Sequence, residues 1–389
     1  MDFHLSDEQR TLYRTVKEFA AREIEPGAEE RDRTGEFCWE GWRTMGEMGL
    51  LGLPYPGEYG GGDAGALTTA LAMEAFGVGS GDSGTALSWG AHTILCGVPI
   101  WQLGTEEQKR KYLPGLASGE TIGGFGLTEP GAGSDAAALS TMAVREGDQW
   151  VLNGTKMFIT NGPIGDVFVV LAATGWEHDE RGRRPISAFI VEKDCPGFSV
   201  GKTMDKMGNR SSPTSELIFE DCWVPHENLL GVEGMGLGMV GLATLEWERA
   251  VMLAPAVGGM ALNLETCLRY AQEREQFGRP IARFQMVREK LAEMKMYLEA
   301  ARWLVYHCCW KKDQGEPAIM EAAIVKLFVG ESCNRVAEMA VQIHGGYGYV
   351  REFPVERMYR DARLATLGGG TSEIQKIIIS RMLLGDALI

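Results

Sequence analysis

The chain has 389 residues, of which 45% are hydrophobic and 23% are charged, and its formal net charge is −15. A chain of this length has room for two or three domains with ordinary hydrophobic cores. Its acidic balance argues against nucleic acid or an anionic membrane surface as the main partner, because like charges repel.

The cysteines and the N-terminal segment indicate the cellular compartment in which the protein is expected. Eight cysteines are scattered along the chain and none forms a Cys-x-x-Cys pair, so we predict neither a dithiol motif nor a metal site. Scattered thiols in an enzyme-sized chain favour a reducing environment. Residues 1–10 are polar and acidic rather than leader-like, and no apolar run of membrane-spanning length stands out. We therefore expect a cytoplasmic protein without membrane insertion.

The first third of the chain is predicted to be helical. Ser6 and Gln9 have the spacing of a capping box, and apolar residues then recur at helical intervals until Pro26 and Gly27 end the pattern. A second, charged helix is expected over residues 105–117. We assign residues 1–118 to an N-terminal helical domain.

The middle of the chain, residues 119–230, alternates short apolar runs with turn residues and predicts a β domain. In the run "WVLNGTKMFIT", Asn153-Gly154 separates two β-rich halves, which predicts a tight hairpin. The other strand candidates are "DVFVVLAAT" (166–174), "ISAFIVEK" (186–193) and "SELIFEDCWVP" (215–225).

Residues 231–389 return to helical patterning. Long amphipathic stretches cover residues 282–312 and 317–343, and a glycine loop with a final helix covers residues 367–385. The order α, then β, then α predicts a helical bundle interrupted by a sheet domain.

Glycine-rich and aromatic stretches recur along the chain in an order that resembles the acyl-CoA dehydrogenase family. They are "FGLTEPGAGSD" (125–135), "MFITNG" (157–162), "REQFGRPIARFQ" (274–285), "QIHGGYGY" (342–349), "YRDAR" (359–363) and "GTSEIQ" (370–375). The pattern is most similar to that of isovaleryl-CoA dehydrogenase-type members. The resemblance implies an α+β fold with an N-terminal α-helical domain, a middle β-barrel-like domain and a C-terminal four-helix bundle.

The same resemblance implies FAD-dependent α,β-dehydrogenation of an acyl-CoA by a homo-oligomer, usually a tetramer, which passes electrons to electron-transfer flavoprotein. Thr128 and Thr160 match threonines that hydrogen-bond the flavin edge, where a donor stabilises the negative charge of reduction. Phe158 matches a position that is usually Trp and keeps an apolar wall. The FAD residues expected on this side are Phe125, Leu127, Thr128, Gly133, Ser134, Phe158, Ile159 and Thr160.

A second group of residues matches positions that reach the FAD of a neighbouring subunit. Arg274 would offer paired donors to the pyrophosphate, and the glycines would let backbone N–H groups approach it closely. The last helix would direct its N-terminus toward phosphate. The residues carried over here are Arg274, Phe277, Gln285, Gln342, Ile343, Gly345, Gly346, Thr371, Ser372 and Glu373.

The loop "LGGGTSEIQ" (367–375) lacks the glutamate that most of the family uses as catalytic base, and Gly369 stands in its place. In isovaleryl-type members the base lies on an earlier helix, which matches residues 236–254 and carries Glu246 and Glu248. These two acids lie about 200° apart around a helix, so they face nearly opposite sides. The family pattern of acid-x-Glu-Arg aligns the base with Glu248. The alternative is that both acids are surface charges and that the chemistry is altered.

The missing bulk at Gly368 and Gly369 resembles the isovaleryl-type pocket and implies a short or branched acyl chain. The same space could take an aromatic or dicarboxylic acyl group, the thioester could be borne by a carrier protein, or the chain could bind flavin without dehydrogenase activity. The residues expected on the substrate side are Ser134, Met239, Glu246, Arg249, Gly368, Gly369 and Gly370.

Overall fold

A computed structural model describes residues 4–176 and 184–385 of the chain, without the side chain of Leu242. Helices form both ends of the chain and a sheet forms its middle. The helices are α1 (Asp7–Phe19), α2 (Ala28–Thr34), α3 (Trp39–Glu47), α4 (Ala66–Ser80), α5 (Ser83–Gly90), α6 (Val98–Leu103), α7 (Glu106–Ser118), α8 (Gly236–Ala250), α9 (Ala254–Glu273), α10 (Gln285–Asp313), α11 (Ile319–His344), α12 (Val355–Ala362) and α13 (Ser372–Leu384).

The start of α1 confirms the predicted capping box. The N–H of Gln9 donates to the Ser6 hydroxyl at 3.1 Å, and the Gln9 side chain accepts from the Ser6 N–H at 3.0 Å. A π-helical turn, Ala20–Ile24, and a 3₁₀ turn, Glu25–Gly27, follow the helix. The helical pattern therefore ends at Pro26 and Gly27 as predicted, although its last turns are not α-helical.

Helix α4 lies at the centre of the N-terminal region and is buried on nearly all sides. It packs against α1, α9 and α10. A helix that is covered all round needs no polar face, so its sequence lacks the amphipathic stripe that marks a surface helix. This helix accordingly joins the N-terminal and C-terminal helical regions into one core.

The middle region forms one eight-stranded sheet with the order β6-β7-β3-β2-β4-β5-β8, and β1 pairs with β4. A separate two-stranded ribbon, β9 and β10, lies between α9 and α10. The strands are β1 (Gly123–Gly126), β2 (Met142–Glu146), β3 (Gln149–Thr160), β4 (Val167–Ala173), β5 (Ile186–Glu192), β6 (Phe198–Thr203), β7 (Thr214–Pro225), β8 (Leu229–Leu230), β9 (Glu275–Gln276) and β10 (Arg279–Pro280).

The hairpin predicted at Asn153-Gly154 is wrong, because β3 runs unbroken through both residues. Gly154 lies where the pairing register between β3 and β7 shifts, and a Cβ there would come within 2.5 Å of the Thr141 hydroxyl. The glycine therefore marks a bulge with a close backbone approach rather than a turn. The hairpin lies between β2 and β3, where Gly147 has a left-handed φ of 61°.

Helices α8, α9, α10 and α11 pack together as the C-terminal bundle, and α13 packs on α11. The stretch Gly236–Glu273, which holds α8 and α9, is long and apolar enough to cross a membrane by length and composition. The expectation that the sequence holds no such run is therefore corrected. This stretch lies against α4, α10 and α11, which favours a pair of core helices over a membrane span.

Candidate active site

The site is centred on Glu248, which α8 directs at the glycine loop before α13. A Cβ built on Gly369 would lie 3.3 Å from the Glu248 Oε1 atom, in contact with the carboxylate. Gly369 also has a left-handed φ of 67°, a conformation that disfavours any residue with a side chain. The loop thus places bare backbone beside a carboxylate that comes from a different helix.

The surroundings of Glu248 suit a base that takes a proton from carbon. Burial raises the pKa of Glu248, while the positive charges of Arg249 and Lys326 act to lower it, and the net shift is upward. A carboxylate whose pKa lies above its usual range holds a proton more strongly and is a better acceptor.

Glu246, which was expected to line the substrate site, has other partners. One carboxylate oxygen accepts from Lys312 Nζ at 2.7 Å, and the other accepts from the N–H of Ala318 at 2.8 Å. Both partners belong to the junction of α10 and α11. The structure thus gives Glu246 partners within the protein where the sequence analysis expected a substrate contact, and its carboxylate ties α8 to the bundle.

Two buried cations lie near Glu248. Arg249 is 6% exposed, and its Nε atom has no hydrogen-bond partner among the described residues. Lys326, on α11, donates from Nζ to the Ala365 carbonyl at 2.8 Å, and burial lowers its pKa to about 8. Sequence analysis missed Lys326, although a lysine on the apolar face of a predicted core helix is a signal that could have found it.

The glycine loop is held from the side of α13. Buried Gln375 donates from Nε2 to the carbonyls of Gly369 and Gly370, each at 3.1 Å. The Thr371 hydroxyl accepts from the N–H of Ile374 at 3.4 Å and so caps the N-terminus of α13. Gln375 was also missed from the sequence, where it reads as an ordinary helix residue.

The other predicted residues of this segment differ in their freedom to bind a ligand. The Ser372 hydroxyl donates to Glu331 at 2.6 Å, so this side chain is engaged within the protein, which leaves its backbone N–H. Glu373 is exposed on the first turn of α13. A Cβ built on Gly368 would meet Leu364 no closer than 3.7 Å, so this position has room for a side chain.

The flavin-side residues lie on two adjacent backbone segments. The N–H of Met157 donates to the Thr128 carbonyl at 2.8 Å, which brings the segment after β1 against β3. Phe158 has a left-handed φ of 62° and is 63% exposed, so the strand turns a large aromatic ring outward. Thr160, at the end of β3, is partly buried. An exposed ring between partly buried threonines fits the face of a flat, apolar ring system.

The remaining residues predicted for the flavin side differ in how deeply they are buried. The Ile159 side chain is buried in the core of the sheet and leaves its backbone for a cofactor contact. Phe125 and Leu127 pack partly buried against the main core. Gly133 and Ser134 are exposed on the loop between β1 and β2. Met239, near the start of α8, is partly buried.

A second cleft, of about 550 Å³, lies where α9 meets the end of α11. Arg274 stacks over the Tyr347 ring at 5.2 Å, and nothing lies within 4 Å of a Cβ built on Gly345 or Gly346. An arginine beside open backbone fits the phosphates and adenosine of FAD. The lining residues are Tyr270, Arg274, Gln276, Ile281, Ile343, His344, Gly345, Gly346, Tyr347 and Val350.

The structure thus brings Arg274, Ile343, Gly345 and Gly346 together in this cleft. Three other predicted members of the group, Phe277, Gln285 and Gln342, are exposed and do not line it, and Thr371, Ser372 and Glu373 belong to the start of α13 instead. Phe277 is 92% exposed, with its ring edge against Phe284. A ring this exposed in the single chain is available to a partner molecule.

Comparison with known proteins finds family matches over most of the chain. The profile of the acyl-CoA dehydrogenase N-terminal domain matches residues 6–120, that of the middle domain matches residues 124–222, and that of the C-terminal domain matches residues 234–384. The short-chain-specific acyl-CoA dehydrogenase of Clostridium acetobutylicum is 45% identical over 98% of this chain and 99% of that protein.

Two further relatives are similar to this chain, one by its sequence and one by its solved structure. The mitochondrial isovaleryl-CoA dehydrogenase of Pongo abelii is 42% identical over 98% of this chain and 90% of that protein. The solved structure of butyryl-CoA dehydrogenase from Megasphaera elsdenii has a TM-score of 0.94, is 41% identical, and covers 99% of this chain and 100% of that chain. The predicted fold, enzyme class and cofactor are confirmed, and the chain belongs to the acyl-CoA dehydrogenase family of FAD-dependent oxidoreductases.

Proposed function

We propose that the protein dehydrogenates a short or branched-chain acyl-CoA to the 2-enoyl-CoA, with Glu248 as the catalytic base. The observation that carries this proposal is the position of the Glu248 carboxylate, whose Oε1 atom lies 3.3 Å from where a Cβ on Gly369 would be. The position that is glutamate in most of the family has no side chain here, and an acid from α8 occupies the adjoining space.

In the proposed reaction, Glu248 removes the proton from the carbon α to the thioester carbonyl, and its raised pKa favours retention of that proton. Bound FAD supplies the acceptor for the hydride that leaves the β carbon. Thr128 and Thr160 would hydrogen-bond the edge of the flavin, and the exposed Phe158 ring would cover one of its faces. Arg249, buried with an unpartnered Nε, would lie close to the reacting end of the substrate.

The proposed substrate class rests on the glycines. Neither Gly368 nor Gly369 places a side chain beside Glu248, so the acyl chain has room for a branch near the thioester. Support also comes from two relatives whose names specify short-chain and isovaleryl substrates. We therefore rank short straight and branched acyl groups above aromatic or dicarboxylic ones.

The proposed assembly is a homotetramer in the cytoplasm that delivers electrons to electron-transfer flavoprotein. The cleft that holds Arg274 would take the adenosine end of FAD from a neighbouring subunit, and the exposed Phe277 would be covered there. In this arrangement, FAD binding and the association of subunits depend on each other.

Anaerobic flavin bleaching tests the function directly. The purified holoenzyme would be mixed with butyryl-CoA, isovaleryl-CoA, glutaryl-CoA and an aryl-propionyl-CoA, and with the same acyl groups on a carrier protein. We expect the two short acyl-CoAs to bleach the flavin fastest. A protein that stays yellow with every thioester would be a flavin-binding protein without this activity, and bleaching by the carrier-bound substrates alone would reassign the substrate.

A further inference from the structure

A fully buried ion pair lies directly behind the segment that carries Thr128. Lys156 is 0% exposed, Glu129 is 4% exposed, and Lys156 Nζ lies 2.6 Å from Glu129 Oε1. Two buried charges of this kind are expensive to remove from water, and the pair often contributes little net stability. A buried pair next to the segment that carries Thr128 is therefore better explained by a role in binding than by a role in stability.

Glu129 is fully engaged by donors from the start of β2. Its carboxylate accepts from the N–H and the hydroxyl of Ser140, both at 2.6 Å, and from the N–H of Thr141 at 2.9 Å. Burial acts to raise the pKa of Glu129, but Lys156 and these donors lower it to about 2. The carboxylate is therefore ionised and fixed in position, and it holds the Lys156 ammonium in turn.

Lys156 also reaches the backbone next to Thr128. Its Nζ donates to the Leu127 carbonyl at 3.2 Å. The carbonyl of Leu127 and the N–H of Thr128 belong to the same planar peptide group. A cation at the oxygen polarises that group and makes its N–H a stronger donor, as in any chain of hydrogen bonds.

The donor that this contact strengthens is free. Within the described part of the chain, the N–H of Thr128 has no hydrogen-bond acceptor, although the carbonyl of Thr128 accepts from Met157 at 2.8 Å. The segment is thus held in place on one side while a polarised N–H is left for a ligand.

We propose that Lys156 and Glu129 are positioning residues that set the electron affinity of the bound flavin through the Leu127–Thr128 peptide. The proposal rests on the proposed function in one respect, namely that Thr128 lies at the flavin edge. Lys156 strengthens a donor toward the site where negative charge develops on reduction, so it favours the reduced flavin. Glu129 opposes the field of Lys156 and so favours the oxidised flavin.

The two residues therefore make opposite predictions. Lys156→Met should lower the flavin midpoint potential and Glu129→Gln should raise it, each changing the ratio of reduced to oxidised flavin at a fixed potential by about tenfold, which is about 30 mV for a two-electron couple. The potential would be measured by equilibration with a reference dye in the holoenzyme without acyl-CoA. The potential of Glu129→Gln would be followed over a pH series, with the rise expected at the acidic end, because burial lowers the pKa of Lys156 and this variant removes the carboxylate that raises it.

A double variant and a control separate this effect from damage to the fold. The double variant, Lys156→Met with Glu129→Gln, leaves no unpaired buried charge and should fold. Its potential should fall, because the ammonium that contacts the Leu127 carbonyl is lost. The fall should be smaller than in Lys156→Met, because the opposing charge of Glu129 is lost as well. Glu74→Gln removes a buried acid from the ion pair with Arg302 and should leave the potential unchanged.

Shifts of the two single variants in the same direction would overturn the proposal, as would a double variant with the parent potential. If a single variant fails to retain FAD, the double variant alone decides. Because no acyl-CoA enters this measurement, its outcome is independent of the substrate screen, and failure of the proposed activity would not be mistaken for failure of this inference.

Discussion

Burial raises the pKa of the Glu248 carboxylate, while the positive charges of Arg249 and Lys326 act to lower it. The pattern acid-x-Glu-Arg pointed to Glu248, and the structure places that carboxylate against Gly369. Lys326 was not predicted, because its influence on the Glu248 carboxylate comes from the packing of α11 on α8. A local pattern identifies a residue type at a position, whereas a contact between distant helices depends on how they pack.

The charges around Glu248 predict a pH dependence. Flavin reduction should slow as pH falls through the pKa of Glu248, which burial raises above the usual glutamate range, because the protonated acid accepts no proton. Lys326→Met removes a cation that lowers this pKa, so the profile should move to higher pH. The measurement is the rate of anaerobic flavin reduction against pH, below about 8, where Lys326 is charged in the parent. An unshifted profile would exclude this role, and Lys326→Arg should restore the parent profile.

Gly368 predicts the acyl preference. A Cβ there has room, so Gly368→Tyr should fold and fill the space proposed for a branch. A close-packed pocket accommodates added bulk poorly, so kcat/KM should fall for isovaleryl-CoA by roughly tenfold relative to butyryl-CoA, about 1.4 kcal/mol. The ratio of the two kcat/KM values checks this, and an unchanged ratio would remove the support for a branched-chain pocket.

At the scale of elements, β4, β5, β7 and the long bundle helices α10 and α11 were predicted close to their observed bounds, whereas the short strands β1, β2, β6 and β8 were not predicted. The exceptions have physical causes. Asn153-Gly154 carries the signature of a hairpin, but the long-range pairing of β3 with β7 runs through it. Helix α4 gave no signal of its own, because a helix that is buried on all sides has no polar stripe.

Helix α13 and its loop predict a coupling between one buried side chain and the site. Gln375→Leu removes two hydrogen bonds to the glycine loop, so it should cost about 1–3 kcal/mol of stability and slow flavin reduction as the loop loosens. Thermal unfolding and stopped-flow bleaching measure the two effects. The exposed neighbour Lys376 provides a control, since Lys376→Gln should change neither. If Gln375→Leu were as stable as the parent, the hydrogen bonds from Gln375 would not be what fixes the glycine loop.

At the scale of the whole molecule, the predicted residues form three groups on one chain. One lies around Glu248 and Gly369, one is the cleft with Arg274 and Gly346, and one holds Thr128 and Phe158 at the edge of the sheet. Sequence order could predict all three through the family resemblance. It could not show that Phe277 and Gln342 lie outside the cleft, because that depends on tertiary placement.

Arg274 therefore predicts a link between cofactor and assembly. Arg274→Ala removes the guanidinium from the cleft, so FAD retention should fall by roughly tenfold or more, as expected for the loss of charge-assisted hydrogen bonds to phosphate. Gel filtration with the ratio of flavin to protein absorbance would follow both properties. A monomer of the parent that retains FAD as tightly as the oligomer would contradict the proposed sharing of the cofactor.

The account depends most on Glu248 as the base, and one comparison tests it most directly. Glu248→Gln keeps the shape of the side chain but removes the proton acceptor, while Glu246→Gln weakens an ion pair with Lys312 on the other side of α8. Both variants should retain FAD. The measurement is anaerobic stopped-flow bleaching with the best substrate from the acyl-CoA screen. We predict that Glu248→Gln slows flavin reduction by about 10²–10⁴-fold, the usual contribution of a positioned base, whereas Glu246→Gln reduces flavin at nearly the parent rate. Parent-rate bleaching in Glu248→Gln, together with a large loss in Glu246→Gln, would contradict the assignment.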